Sequence, residues 1–589
     1  MWGRLKEGMT LDSAKAEMNT IASRLEQQYP QSNTKIGVSI TPLLDNQVGE
    51  YRSSLKLLLA AVVVVLLIAC ANLANLLAAR GAARSREFAI RVAIGATRWQ
   101  IIRQLLLESL ILALLGGALG LCLAAWGRDL LVAMSPPTTK RFQETRLDLW
   151  VLAFTGLTTV VTSVLFGLWP AWHTSRADAQ TALKSGAHGS SDAPSARRSR
   201  ELLIIAEVAL TLVLLSAAAL VLQSFAKASS LRLGFEPRDL VTGLVYLPTP
   251  PYDNHEKLVA FSDGLLAKMR ALPGVQHAAV ASGPPLLTGW QSGFLPEGME
   301  EPAPGLLPSI DMNVIGGDYF EAIGTRLLRG RAFTPQDTKD APLVIIIDQA
   351  TAQRFFPGQD AVGKRVRMQT DNDGYKWREI VGVVPQLKLY GYNGETALAQ
   401  GYIPQTEHPN TGLTILLRTS APIGSLERSL RQIVASLDPA QPVFDLKTMQ
   451  ERVAETWSTP RLMAFLLGAF ALLALSLAVV GIYGVMAYNG QRRIREIGVR
   501  LALGARRRQI VSMMLRQGGR LLGIGLLVGL AGAFGLSRVI RSLLFEVNAG
   551  DPATYLTVGL LLATAAAVAC WIPARRASRV DPMITLRAE

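Results

Sequence analysis

Residues 495–510 read REIGVRLALGARRRQI and residues 86–101 read REFAIRVAIGATRWQI, with the central glycines, Gly504 and Gly95, lying 409 positions apart. Each copy follows one long apolar run and precedes another, so each is a polar loop between two membrane helices. Glu87 stands four residues before Arg91, and Glu496 four before Arg500, the order that supports a helix. Apolar residues recur at helical spacing, Phe88 with Val92 and Ile497 with Leu501, which leaves the charged pairs on another face. Gly95-Ala96 and Gly504-Ala505 then break the chain before the next helix. Each copy reads as a short amphipathic helix outside the bilayer with one side free for a partner.

The composition agrees with a membrane setting. The 589 residues are 50% hydrophobic and 18% charged, with a mean hydropathy of +0.27, too apolar for an ordinary soluble multidomain protein. A net charge of +15 raises the question of nucleic acid, but the arginines cluster beside apolar runs, where positive loops mark the cytoplasmic side. No soluble stretch interleaves basic and aromatic residues in the manner of a nucleic-acid surface. Cys70, Cys122 and Cys570 all lie inside apolar runs, which argues against a disulfide framework and against a thiolate metal site.

Read in order, the chain begins with a hydrophilic segment, 1–49, containing a surface helix at 11–29 and a short strand at 38–42, and no signal peptide. Membrane spans follow at about 55–77, 105–134 and 149–169. A Gly, Ser and Ala stretch with arginines, 184–200, reads as a flexible linker. A fourth span, 202–222, leads into a large polar region, 223–460, and three spans close the chain at about 462–487, 518–544 and 555–571. With the arginine-rich loops inside, the topology is self-consistent: 1–51 and 223–460 fall outside, the two repeated loops, the linker and 575–589 inside, and the loop 545–552, with acids and no base, outside.

The duplication extends beyond the loops. Gly116 and Gly120 map at the same offset onto Gly525 and Gly529, giving each copy a GxxxG that lets helix backbones approach closely. Pro170, Arg176, Asp178 and Leu183 line up with Pro573, Arg579, Asp581 and Leu586. The second half holds four spans around a large insert, whereas the first holds three preceded by a stub. Because 11–29 and the strand after it resemble 426–437 and 443–446, the stub reads as the tail of an external domain, and an intact relative is expected to have eight spans.

The polar region reads as α+β, with strands at 240–247, 275–281, 343–348, 378–384 and 413–418 and helices at 255–271, 349–356, 426–437 and 448–455. Thr448 and Glu451 form a capping box at the last of these. The length is enough to bury a core and divide into two lobes. The expected fold is thus an α-helical membrane protein of about seven transmembrane helices in two repeats, with an α+β extracytoplasmic domain.

One span, a large external domain and three more spans, with R-E-x-x-x-R-x-A-x-G-A in the inside loop, resembles the MacB/FtsX superfamily of ABC transporter permeases. DQATAQRFFPGQDAVGKRVRM at 348–368 and REIVGVV at 378–384 resemble the MacB-like periplasmic core domain, and the tandem arrangement is similar to the duplicated "orphan" permeases of that group. The resemblance implies a remnant of a first periplasmic domain at 1–51, a first FtsX-like permease domain at 52–183, a cytoplasmic linker at 184–200, a span at 201–223, a periplasmic core domain at 224–460 and a second permease domain at 461–589. It further implies a multi-pass protein of the bacterial inner membrane whose inside loops couple to a cytoplasmic ABC ATPase. Carried over by position, the coupling residues are Glu87, Arg91, Gly95, Arg98, Glu496, Arg500, Gly504 and Arg507. The expected partners are that ATPase and membrane lipid, with a periplasmic adaptor or outer-membrane components as further candidates, and no nucleic acid.

Chemistry within the chain is not expected. There is no G-x-x-x-x-G-K-[ST], so ATP is bound by the partner and no cofactor is assigned here. The five histidines show no metal spacing, and no G-x-S-x-G elbow occurs. Ionisable groups within the spans are few. Glu207 lies about two turns into the fourth span, while Asn72 and Asn75 approach the inside end of the first; snorkelling or a polar helix contact is the leading reading of Glu207, ahead of a proton relay. Two functional classes follow: a permease driving efflux or extrusion through motions of its external domain, and an FtsX-like signalling or scaffold module that activates an external cell-wall enzyme.

Overall fold

The computed structural model describes residues 3–33, 37–84, 87, 90–91, 94–134, 148–175, 194–286, 290–300, 302, 307–371, 374–388, 399–541 and 544–579. Helix α1 (Leu11–Gln28) starts at a capping box in which Thr10 and Ser13 satisfy each other's backbone amides, and α2 (Pro30–Asn33) follows it. Residues 37–42 are irregular, which corrects the strand expected at 38–42: β-branched residues favour a strand only where a neighbour completes the ladder, and no strand pairs with this segment among the described residues.

Long helices come next: α3 (Leu43–Ala83), α4 (Arg98–Met134), α5 (Leu149–Ser175) and α6 (Pro194–Ser229). Part of the stretch read as linker, from Pro194 on, is instead the start of α6, because proline suits a helix's first turn and the alanine and arginines after it continue the helix.

The external part comprises β1 (Leu240–Tyr246), α7 (His255–Arg270), β2 (Val275–Ala281), β3 (Trp290–Pro296), β4 (Ser309–Gly317), α8 (Tyr319–Ile323), β5 (Arg329–Gly330), β6 (Val344–Asp348), α9 (Gln349–Phe355), β7 (Arg365–Asp371), β8 (Gly374–Val384), β9 (Ala399–Pro404), β10 (Gly412–Thr419), α10 (Ile423–Leu437), β11 (Phe444–Thr448) and α11 (Met449–Thr456). The chain ends in α12 (Ser458–Arg492), α13 (Ile494–Ala502), α14 (Arg507–Ile540) and α15 (Pro552–Ala577).

Two units result, one of Met1–Gln47 with Ser230–Trp457 and the other of Val48–Ser229 with Ser458–Glu589. In the first, all strands share one sheet, ordered β11-β1-β10-β2-β4-β3-β7-β8-β6-β9, with β5 on β8 and β4 also on β9. That last, parallel pairing, Ile310 opposite Ala399 through Ile315 opposite Pro404, closes six strands into a ring filled by Phe294, Met312, Ile345, Val366, Ile380 and Ile403. The open arm of the sheet carries α7 and α10 on one face. Leu413, Ile415 and Leu417 of β10 point into that layer beside Leu265 and Leu430, while Leu416 is buried on the opposite face with Tyr319 and Met449. Burial on both sides is why β10 reads as a continuous apolar run. These are the two lobes the length allowed.

In the second unit, α6, α12, α14 and α15 pack against one another around Val208, Leu212, Leu467, Ala474, Leu562 and Ala566. Helix α3, from the first repeat, contributes Ala61 and Ile68 to the same core, and α4 packs with α5. Among the described residues six helices, within α3, α4, α6, α12, α14 and α15, are long and apolar enough to cross a membrane, and α5 adds a shorter apolar stretch at Leu149–Val164.

Candidate functional site

Among the described residues the two repeated loops share an ion pair and a glycine turn. Arg91 meets Glu87 at 2.6 Å and Arg500 meets Glu496 at 2.7 Å. Gly95 and Gly504 take φ of +102° and +91°, a left-handed conformation that glycine adopts without steric cost. The amides of Ala96 and Ala505 each donate 2.9 Å bonds to the carbonyls of Arg91 and Arg500. The next helix is capped in the same way in both copies: Gln100 Oε1 accepts from the Thr97 amide and Gln509 Oε1 from the Arg506 amide, each at 2.8 Å.

Further residues join the pattern at the same offset. Arg84 pairs with Glu87 at 2.8 Å and Glu108 at 3.2 Å; its counterpart Arg493 approaches Glu496 at 3.9 Å. Hydrogen bonding from Arg84 holds the Glu87 carboxyl below the usual carboxylate range. Arg91 donates to Gln104 at 2.7 Å, and Arg500 reaches Met513, the equivalent position. Each loop arginine thus ties its loop to the side of the following span, thirteen residues on, so that the loop and the start of that span form one braced piece. Arg98 and Arg507 open α4 and α14.

The apolar side of the second loop is buried as its spacing predicts, with Ile497 at the core; Phe88 and Val92, its first-copy counterparts, lie outside the described residues. What the spacing did not single out is the tip. Ile94 is 81% exposed and Leu503 83%, and Ile90 and Val499 are each 44% exposed. The same two positions in both copies therefore hold bare aliphatic groups beside a glycine turn. An isolated exposed leucine is ordinary; what is not ordinary is its repetition at matched positions, and the offset already visible in the sequence was the signal that would have found it.

The glycine pairs are not equivalent. A Cβ on Gly525 would lie 2.7 Å from Val208, and one on Gly529 3.0 Å from the Ala209 backbone, so this GxxxG seats α14 directly on α6. Gly116 and Gly120 have open space beside them, and it is Gly117 that meets Thr159 of α5 at 3.2 Å. Among the described residues Gly116 and Gly120 thus make no helix contact inside the bundle, where Gly117 takes that part. Glu207, on α6, is fully buried. It lies with Asn72 of α3 against Gly481 of α12, where any Cβ would collide with the Asn72 amide oxygen and come within 2.6 Å of both carboxylate oxygens; Asn72 also donates to the Leu477 carbonyl at 2.8 Å. Snorkelling to the surface is ruled out by that burial, and a polar contact among three helices is what the geometry shows.

Duplicated membrane helices joined by braced loops, with a large α+β unit inserted after α6, define a permease of the FtsX type. The model of the FtsX-like permease C-terminal matches residues 59–179 and again 468–582, and that of the MacB-like periplasmic core domain matches 204–443. The chain belongs to the MacB/FtsX superfamily of ABC transporter permeases and is a multi-pass protein of the bacterial inner membrane. Among curated relatives, the macrolide export ATP-binding/permease protein MacB of Rhodopseudomonas palustris is 28% identical over 298 residues, 48% of this chain and 44% of its own length. The pyoverdine export ATP-binding/permease protein PvdT of Pseudomonas syringae is 26% identical over 293 residues, 47% of this chain and 43% of its own. The chain therefore spans less than half the length of these relatives. A crystal structure of the periplasmic region of MacB from Actinobacillus actinomycetemcomitans covers 38% of this chain at 15% identity, with a TM-score of 0.26.

Proposed function

We propose that this chain is the transmembrane component of an ABC exporter, in which a separate cytoplasmic ATPase drives the two inside loops and the membrane helices pass that motion to the external unit for efflux or extrusion of amphiphilic compounds, peptides or lipoproteins. The observation that carries the reading is the matched pair of loops, each with a bare aliphatic tip and an arginine that braces it to the next span. An aliphatic tip flanked by an ion pair suits insertion into a cleft on a soluble partner, and bracing makes a displacement of the loop a displacement of α4 or α14. The relatives named for export of macrolides and of pyoverdine support a transport role.

The test is the double substitution Glu87→Lys with Glu496→Lys, made in the tagged full chain purified from its source cells. The expected result is an unchanged elution profile in detergent together with loss of co-purifying, substrate-stimulated ATP hydrolysis. Normal retention and stimulation of the ATPase by the double variant would count against the assignment of these loops.

A further inference from the structure

At the inside end of the second repeat, α14 and α15 diverge around a groove of about 850 Å³. Its walls carry Arg507, Arg508 and Arg516 from α14, Trp571 and Arg575 from α15, and Arg579 just beyond the end of α15. Arg575 sits over the Trp571 ring at 5.1 Å. Among the described residues none of the five guanidinium groups pairs with a carboxylate. Five like charges around one groove repel one another unless an anion is held between them.

The cluster is not a requirement of the repeat. At the offset that aligns the loops, Arg508 corresponds to Trp99 and Arg516 to Leu107, and in the aligned tails Arg575 corresponds to Trp172. Arg507 and Arg579 have arginine counterparts in Arg98 and Arg176, and Arg103 stands opposite Ser512, so three of the five, Arg508, Arg516 and Arg575, are particular to the second half.

The position along the membrane normal selects the anion. Residues 521–540 of α14 are an uninterrupted span apart from Arg538 near the outer end, long enough for a hydrocarbon core of about 30 Å. Arg516 and Arg575 therefore lie at the headgroup level of the inner leaflet, with Trp571 as an interfacial aromatic. Toward the bilayer the same faces continue as Gly519 and Gly523, with open space beside them, and as exposed Val568, which leaves room for an acyl chain. We infer that this groove binds the phosphate headgroup of an anionic phospholipid, with a chain lying along the Gly519 and Gly523 face. The inference stands whether or not the loops engage an ATPase.

The test is native mass spectrometry of the detergent-purified full chain titrated with phosphatidylglycerol, with phosphatidylcholine and inorganic phosphate as comparators. Wild type is expected to retain phosphatidylglycerol selectively. The R508Q/R516Q/R575Q variant is expected to bind it roughly a hundredfold more weakly, at about fivefold per arginine, whereas R508K/R516K/R575K, which keeps the charge, retains it. Equal retention of phosphatidylglycerol by the glutamine variant, equal binding of phosphatidylcholine by wild type, or a lysine variant as weak as the glutamine one would overturn the proposal. Tight binding of inorganic phosphate with no preference for phosphatidylglycerol would also overturn it, assigning the groove to a soluble anion.

Discussion

Arg378 is the largest of the fully buried side chains, and Glu407 meets it at 2.5 Å with both groups closed off from solvent. Removing one partner leaves an uncompensated buried charge, so Arg378→Met alone is expected to cost the external unit about 3–5 kcal/mol, while Arg378→Met with Glu407→Leu recovers most of that loss. Urea unfolding of the full chain in detergent, followed by limited proteolysis, distinguishes the two. Asp337 behaves differently because the partner Arg331 is partly in solvent. Burial acts to raise its pKa, but Arg331 and Thr334 outweigh burial and leave it below the ordinary 3.8. A depressed carboxyl contributes stability above its unfolded pKa and loses it as pH falls through the folded one. Wild type should therefore melt higher than Asp337→Asn at neutral pH, with the gap closing below about pH 4; a gap that stays constant with pH would contradict the pairing.

Elements differ in how far local pattern decides their contacts. The loop helix α13 follows from periodicity and from the glycine at the turn, because its ion pair, its turn bond and its tie to Met513 are all made with nearby residues. The GxxxG pairs show the opposite case: the same glycine spacing meets a neighbour in one copy and open space in the other. Gly529→Leu is accordingly expected to destabilise the α6–α14 contact by about 1–3 kcal/mol or more, whereas Gly120→Leu is expected to be tolerated. Thermal stability of the two variants in detergent checks this, and equal losses would refute the distinction. In the external unit, β4 and β9 were hidden from sequence reading for a related reason. Asp311 and Asn313 interrupt the apolar pattern of β4, yet Asn313 is satisfied by Ser282 at 2.7 Å and by the Gly283 carbonyl, partners that exist only once the chain has folded.

For the molecule as a whole, the informative place is where helices of both repeats meet. Asn72 belongs to the first repeat, Glu207 and Gly481 to the second, and the absence of a side chain at 481 allows the three helices to close around two polar groups. Gly481→Val is expected to separate α3 from α12 and lower the unfolding midpoint, an overpacking cost of about 1–3 kcal/mol. Glu207→Gln keeps the shape without the charge, and is expected to leave both folding and the proposed ATP-driven transport intact. Loss of transport by Glu207→Gln with ATP hydrolysis preserved would instead point to a proton carried by this group.

Sequence alone determined the membrane class, the duplication, the second loop helix and the charged pairs of both loops, and five of the eleven strands and most helices of the inserted unit, because hydropathy, the 409-residue offset and local capping are properties of neighbouring residues. Tertiary structure decided which glycines pack, how the ring of strands closes between residues 310 and 399, that Glu207 is sealed among three helices, and that five arginines share one groove. Each of those depends on which distant segments are brought together, and a side chain's cost or worth is set by the groups that surround it after folding, not by those beside it in the chain.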